Sequence, residues 1–233
     1  NKIKSALDQL SKINEDILSN DKFPLVLGGE HSITPGSIKP FVKKYDEITL
    51  LHFDAHADLR ESYQGEKFSH ASAIKRCLDY KNLKVVSFGI RNLSKEEMDF
   101  YNDNRDRIEI FWGKDKQTWD LFRLDKFFKN KNVYITFDVD GLDPCYIPCT
   151  GTAVNDGLNL YKVKYVLDNL NTENLVNMDL TELNFELGEN SCLKLIDYFA
   201  NNTAKNFIVN AVHVRAAVAS FSAGTIAKIN FNH

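Results

Sequence analysis

Four cysteines in 233 residues are too few for a disulfide framework. A reducing, cytoplasmic setting is therefore the expectation. Cys145 and Cys149 match no common zinc spacing. No apolar run approaches the roughly 18 residues that a membrane span needs. Nor does a basic start lead into an apolar run, so no signal peptide is expected. Charge of either sign is not in excess: 29 basic residues face 32 acidic ones, for a net charge of −3. Neither a nucleic acid nor a membrane surface is an expected partner. Internal repeats, low-complexity tracts and linkers are also missing. One sizeable domain over residues 1–233 is the reading. The first residue is Asn1 rather than Met, so a start further upstream is compatible with the sequence.

Hydrophobic residues make up 43 % of the chain and charged ones 26 %, enough apolar matter for a globular core. Leu7, Leu10, Ile13 and Ile17 recur at helical spacing, which predicts a helix from Lys4 to Leu18. Strands are predicted at Phe23–Leu27, Ile48–Phe53, Lys84–Phe88, Ile108–Phe111, Val133–Phe137, Leu175–Leu180 and Phe207–Val212. Helices are predicted at Pro35–Tyr45, at Ser69–Tyr80 with Ser69 as cap, after Ser94, at Leu160–Leu170, and in the Ala-rich stretch after Val212. Ser94 with Glu97 forms a capping-box pattern. Apolar strands alternating with helices predict an α/β fold, a mainly parallel sheet covered on both faces. In such sheets ligands sit beyond the carboxyl ends of the strands.

Three polar clusters occupy three of those ends. Gly28-Gly29-Glu30-His31-Ser32 follows the first strand, and Asp54-Ala55-His56-Ala57-Asp58 the second. Asp138-Val139-Asp140-Gly141-Leu142-Asp143-Pro144 follows the strand at 133–137. In an extended chain residues two apart point the same way, so Asp54, His56 and Asp58 converge, as do Asp138 and Asp140. So many acids in one place repel, and bound cations relieve the repulsion. Carboxylates mixed with imidazoles suit manganese, iron, cobalt or zinc better than calcium. Four carboxylates and two imidazoles are about right for two ions sharing bridging ligands. Each cluster alone has a plainer reading. Acids at strand ends cap helices, a lone His31 after glycines makes local hydrogen bonds, and Asp, Gly and Pro form turns. Three clusters in one chain are hard to assign to turns alone.

The segments G-G-E-H-S, H-F-D-A-H-A-D-L-R and F-D-V-D-G-L-D-P resemble the three signatures of the ureohydrolases, the arginase and agmatinase family. Order and spacing agree from about Phe23 to Phe185. The resemblance implies an arginase-like three-layer αβα fold and two Mn2+ per chain. One ion would be held by His31, Asp54, Asp58 and Asp138, the other by Asp54, His56, Asp138 and Asp140. A metal-bridging hydroxide would attack a guanidino carbon, releasing urea and an amine. Glu182, in Asp179-Leu180-Thr181-Glu182, resembles the carboxylate that pairs with the substrate guanidinium. His70 resembles a proton-shuttling histidine beside the site, and Asp58 is the candidate proton donor to the leaving amine. The partners implied are a small guanidino substrate and further copies of the chain, a homo-oligomer.

Within that family, Leu59-Arg60-Glu61 after Asp58 and Thr150-Gly151-Thr152 resemble agmatinases. Arginases usually carry Asn where Arg60 stands, so agmatine is the favoured substrate. An arginase or guanidino-acid hydrolase and a non-catalytic relative are the alternatives within the family. A one-zinc deacetylase of related fold is the alternative outside it. Arg60 is either a contact to a substrate carboxylate or a solvated surface residue. Three departures stand out. The family's first strand and helix are missing ahead of the first helix, Phe185 replaces a usual Pro, and Glu186–Val212 matches nothing in the pattern. His52, His213 and His233 carry no motif and read as structural or surface residues.

Overall fold

The computed structural model describes residues 2–168, 175–188, 190 and 193–196, together with the strand backbones at 209–214 and 226–230. Eight strands form one sheet: β1 (Phe23–Leu27), β2 (Ile48–Phe53), β3 (Leu83–Phe88), β4 (Ile108–Phe111), β5 (Asn132–Asp138), β6 (Leu175–Thr181), β7 (Val209–Val214) and β8 (Ile226–Asn230). Their order is β4-β3-β2-β5-β6-β1-β7-β8. Every neighbouring pair is parallel except β7 with β8. The predicted final parallel strand is β7, shifted two residues along the chain. The Ala-rich helix predicted after it, and His233, lie outside the described residues.

The helices include α1 (Lys2–Ser19), α2 (Thr34–Ser37), α3 (Lys39–Lys44), α4 (Ala73–Cys77), α5 (Lys95–Asp103), α6 (Leu124–Phe128) and α7 (Leu160–Asp168). One sheet face presents Leu51, Phe53, Ile135 and Phe137 to α6 and α7, through Phe128, Val163 and Val166. The other presents Ile48, Leu50, Val85 and Tyr134 to α3, α4 and α5, through Phe41, Ile74 and Tyr101. On that second side Leu10 and Ile17 of α1 cover Val26. The result is the expected three-layer αβα arrangement. Both faces of the central strands are dry, and β1 and β2 are therefore buried at every position.

Local departures have local causes. The stretch expected as one helix from Pro35 to Tyr45 breaks at Ile38, because Pro40 has no N–H to continue the ladder and instead opens α3. The helix expected from Ser69 to Tyr80 starts as a 3-10 turn, His70–Ser72, before α4. Ser69 does cap it, accepting from the Ala71 amide. The Ser94–Glu97 capping box forms as read, and α5 follows it. No described helix is long and apolar enough to cross a membrane.

Strand order places the site. β2, β5, β6 and β1 are consecutive in the sheet and parallel, so their carboxyl ends lie side by side. Phe53 pairs with Phe137, Phe137 with Leu180, and Leu27 with Leu180. The residues that follow are level: Asp54 after β2, Asp138 at the end of β5, Glu182 after β6 and the Gly28–His31 turn after β1. β2 leads away to β3 while β5 leads to β6, so the loops part between them. That is where open α/β sheets hold ligands.

Candidate metal centre

His31 is fully buried and opens a 3-10 turn beyond β1. Its Nδ1 lies 3.1 Å from Asp54 Oδ2, 3.0 Å from Asp58 Oδ2 and 3.5 Å from Asp138 Oδ2. None of the three is aligned as a hydrogen bond, so Nδ1 is a buried polar atom without a partner. Its other nitrogen is anchored. Nε2 lies 2.8 Å from the Thr136 hydroxyl, which donates to Asp179 Oδ1 at 2.5 Å. Asp179 also accepts from Tyr134 and Thr34. Thr136 spends its one proton on Asp179, so Nε2 must be the donor, and Nδ1 is the nitrogen that faces the acids.

His56 forms a second group. Its Nδ1 lies 3.0 Å from Asp140 Oδ2 and 3.4 Å from Asp54 Oδ1. Asp54 thus turns one oxygen towards His31 and the other towards His56. Asp140 is held by the Ala55 amide on Oδ1 and the Thr152 hydroxyl on Oδ2. Asp54, Asp58, Asp138 and Asp140 are all 5 % exposed or less.

The convergence does not arise by strand alternation as expected. β2 ends at Phe53, and Asp54 Oδ1 accepts the His56 amide at 2.6 Å, an Asx turn. Asp138 Oδ1 likewise accepts the Asp140 amide at 2.9 Å at the start of a 3-10 turn. Asp58 takes a left-handed φ of 52°. The turn reading therefore holds for these segments, and the same carboxylates that shape the turns also face the centre.

Proton affinities record the crowding. Burial alone raises carboxyl pKa values, and Asp138 is pushed well up by burial and by Asp140 and Asp54. Asp58 moves up through burial and Asp54. Asp54 goes the other way, well below the usual range: burial is outweighed by His31, His52 and His56. Burial disfavours the charged form of His56, but Asp140 and Asp54 push it up to about 11. His31 is raised for the same reason by Asp54 and Asp58 against its burial. Without another cation the fold must hold protons here. Two nitrogens facing four carboxylates, with Asp54 common to both and one nitrogen orphaned, make a donor set that fits divalent cations.

Glu182 has a φ of 62°, fixed by its amide donating to Gly29 O at 2.7 Å. Its Oε1 accepts the His31 amide at 2.7 Å, and burial raises its pKa to about 7. His70 stands nearby with Nδ1 2.9 Å from Glu30 Oε1, and Glu30 also accepts from Ser32. Glu30 raises the His70 pKa against burial, and Glu182 and Asp58 add to it. The Tyr63 ring meets the His70 ring edge-on, and Arg60 lies over the same Tyr63 ring.

Residues without a motif also belong here. His52 is buried, with Nε2 2.9 Å from Asp54 Oδ2 and Nδ1 3.0 Å from Ser87 Oγ. The surface reading of His52 is thus corrected, and its structural role is to hold Asp54. Thr136 supports His31. His52 and Thr136 each lie two residues before an acid at a strand end, on the same side one step deeper in the sheet. That spacing was the available signal. Glu30 and Thr152 lie in stretches that carry the family resemblance, but the resemblance assigns them no role, and Asp179 had no signal that separated it from an ordinary polar residue. Of His213 only the strand backbone is described. Cys145 is exposed and Cys149 buried, and neither joins a described metal-binding group.

The Arginase family model matches residues 1–207. The chain belongs to the arginase family. An agmatinase of Bacillus cereus is 35 % identical over 193 residues, covering 76 % of this chain and 61 % of its own. A 32.2 kDa uncharacterized protein of Methanothermus fervidus is 34 % identical over 187 residues, 77 % of this chain and 62 % of its own. The solved agmatine ureohydrolase of Thermoplasma volcanium superposes with a TM-score of 0.75 at 28 % identity, covering 87 % of this chain and 70 % of that one. This arginase-family chain spans between 52 % and 62 % of the length of the first curated relatives it matches.

Proposed function

We propose that this arginase-family chain is a ureohydrolase that uses two Mn2+ ions to cleave a guanidino compound, with agmatine as the favoured substrate. The observation that carries the reading is Asp54, whose two oxygens face His31 on one side and His56 on the other. A carboxylate so placed suits a pair of ions rather than one. His31, Asp54, Asp58 and Asp138 would hold the first ion, and Asp54, His56, Asp138 and Asp140 the second. When bound, such a pair supplies an activated water and positive charge at the reacting carbon.

The chain's own residues supply the rest. Glu182 offers a carboxylate whose charge is penalised by burial, so a planar guanidinium is its natural guest, able to donate two parallel bonds. His70, held by Glu30, would exchange protons with solvent, and Asp58 would pass one to the leaving amine. Charge balance favours a cationic substrate. Four Asp ligands cancel two divalent ions, leaving the charge of Glu182 for the guest.

Arg60 bears on the substrate's far end. Its Nε lies 3.6 Å from Glu97 Oε2 and its guanidinium rests on Tyr63, so its charge is already engaged. A substrate without a carboxylate, such as agmatine, fits this better than arginine or a guanidino acid. The agmatinase relatives agree with that choice. The test is urea release by manganese-loaded protein from agmatine, arginine and guanidinobutyrate. Release from agmatine at the highest kcat/KM is the expected result. Preference for a guanidino acid would overturn the substrate assignment, and no release from any of them would overturn the activity.

A further inference from the structure

Arg91 follows β3 and lies against the turn that carries Asp140. All of its hydrogen-bond acceptors are backbone carbonyls. Nη2 reaches Asp140 O at 2.8 Å, Leu142 O at 3.4 Å and Val154 O at 2.7 Å. Nη1 reaches Gly89 O at 3.1 Å and Gly141 O at 3.3 Å, and Nε reaches Asn155 O at 3.1 Å. Five N–H groups are thereby spent on three separate backbone stretches, which only a planar fork can do. We propose that Arg91 is a positioning residue that clasps the 150–158 segment to the ligand turn at 138–143, so that order in that segment and cation affinity at Asp140 and His56 rise and fall together.

Two further features support the clasp. The segments it joins pair with one another: Leu158 N donates to Gly141 O and Asp143 N to Leu158 O, each at 3.0 Å, and Gly157 N donates to Asp143 Oδ2. They also approach too closely for a side chain at Gly157, where a Cβ would sit 2.3 Å from Asp143 N. Arg91 holds the Asp140 carbonyl, the Ala55 amide holds carboxylate Oδ1, and Thr152, within the clasped segment, holds Oδ2. Movement of the segment takes the Thr152 hydroxyl away from the carboxylate. By linkage, an ion on that carboxylate must in turn order the segment.

The ion arm of this inference rests on the metal reading above, whereas the ordering arm does not. Hydrogen exchange of the metal-free chain is read at the amides of Asp143, Gly157 and Leu158, in wild type, Arg91→Lys and Arg91→Met. The expected result is exchange at least about 10-fold faster in Arg91→Met, with Arg91→Lys between the two, and little change in the amides of β2 and β5. Mn2+ is expected to slow those three amides in wild type and not in Arg91→Met, whose Mn2+ affinity at Asp140 and His56 falls about 10-fold while binding at His31 and Asp58 is kept. Wild-type exchange in both variants overturns the clasp, as does acceleration spread evenly over the sheet. If Arg91→Met does not fold, Arg91→Lys alone decides, by the same comparison. Faster exchange in the variants, with fewer than two ions taken up by wild type, leaves the clasp standing and overturns the metal reading instead.

Discussion

Glu182 holds a carboxylate where burial penalises its charge, and burial raises its pKa to about 7. A guanidinium guest reverses that penalty. Glu182→Gln keeps the shape, removes the charge and turns one acceptor into a donor facing the guest's own donors. kcat/KM for agmatine is expected to fall about 100-fold or more, on the order of 3 kcal/mol. The manganese content measured on the same protein should stay at the wild-type level, because Glu182 is not among the proposed ligands. His52→Leu separates metal support from chemistry in the opposite sense. Its imidazole is the buried partner of Asp54 Oδ2, and leucine leaves that oxygen and Ser87 without it. Outer partners of ligands are typically worth 10- to 100-fold in metal affinity. Competition with a fluorescent chelator should show a loss in that range, and an unchanged affinity would count against the role assigned to His52.

At the scale of single elements, α5 shows how a helix cap reaches the site. Glu97 takes the Ser94 amide and hydroxyl on Oε2 and the Leu59 amide on Oε1. Leu59 follows Asp58 directly. Ser94→Ala removes a cap alone and is expected to cost about 1 kcal/mol in urea unfolding. Glu97→Ala also strands the buried Leu59 amide and releases Arg60, so a larger loss is expected, accompanied by weaker metal binding at Asp58. Equal effects of the two substitutions would show that Glu97 acts only as a cap. The capping box was legible because its two partners lie three residues apart. The link from Glu97 to Leu59 spans 38 residues and was not.

For the whole molecule, the clustered charges link stability, protons and metal. In chelator-treated protein Glu182 and His56 both bind protons more tightly folded than unfolded, and stability then falls as pH rises. The contribution of Glu182 is complete below about pH 4.5 and is lost as pH climbs towards about 7. That of His56 is complete below about pH 6.5 and fades as pH climbs towards about 11. His31, Asp58 and Asp138 shift in the same sense, whereas the depressed Asp54 opposes them only in acid. Urea midpoints of the metal-free chain should therefore drop from pH 5 to pH 9. On the proposed metal reading Mn2+ would displace the protons held by His31 and His56, so its affinity should rise over the same range, with proton release. Calorimetry in buffers of different ionisation enthalpy measures that release, and binding without it would contradict the proton-for-metal exchange.

Periodicity and residue type were enough to place the strands before Gly28, Asp54 and Asp138 and to set acids and histidines at their ends, because both are encoded within a few residues of the chain; the six candidate ligands were named by the family resemblance of those same segments. The parallel three-layer fold followed from the same apolar alternation. The sequence by itself could not say which nitrogen faces which acid. That depends on β2, β5, β6 and β1 lying side by side, an order set by packing of the whole sheet. It brings the His31 amide to Glu182 across 151 residues and the His31 ring to Thr136 across 105. Only the tertiary structure turned the two oxygens of Asp54 to opposite sides and set His52 behind one of them. The reason is physical: a carboxylate's direction is decided by every donor around it, and most of those donors arrive from distant strands.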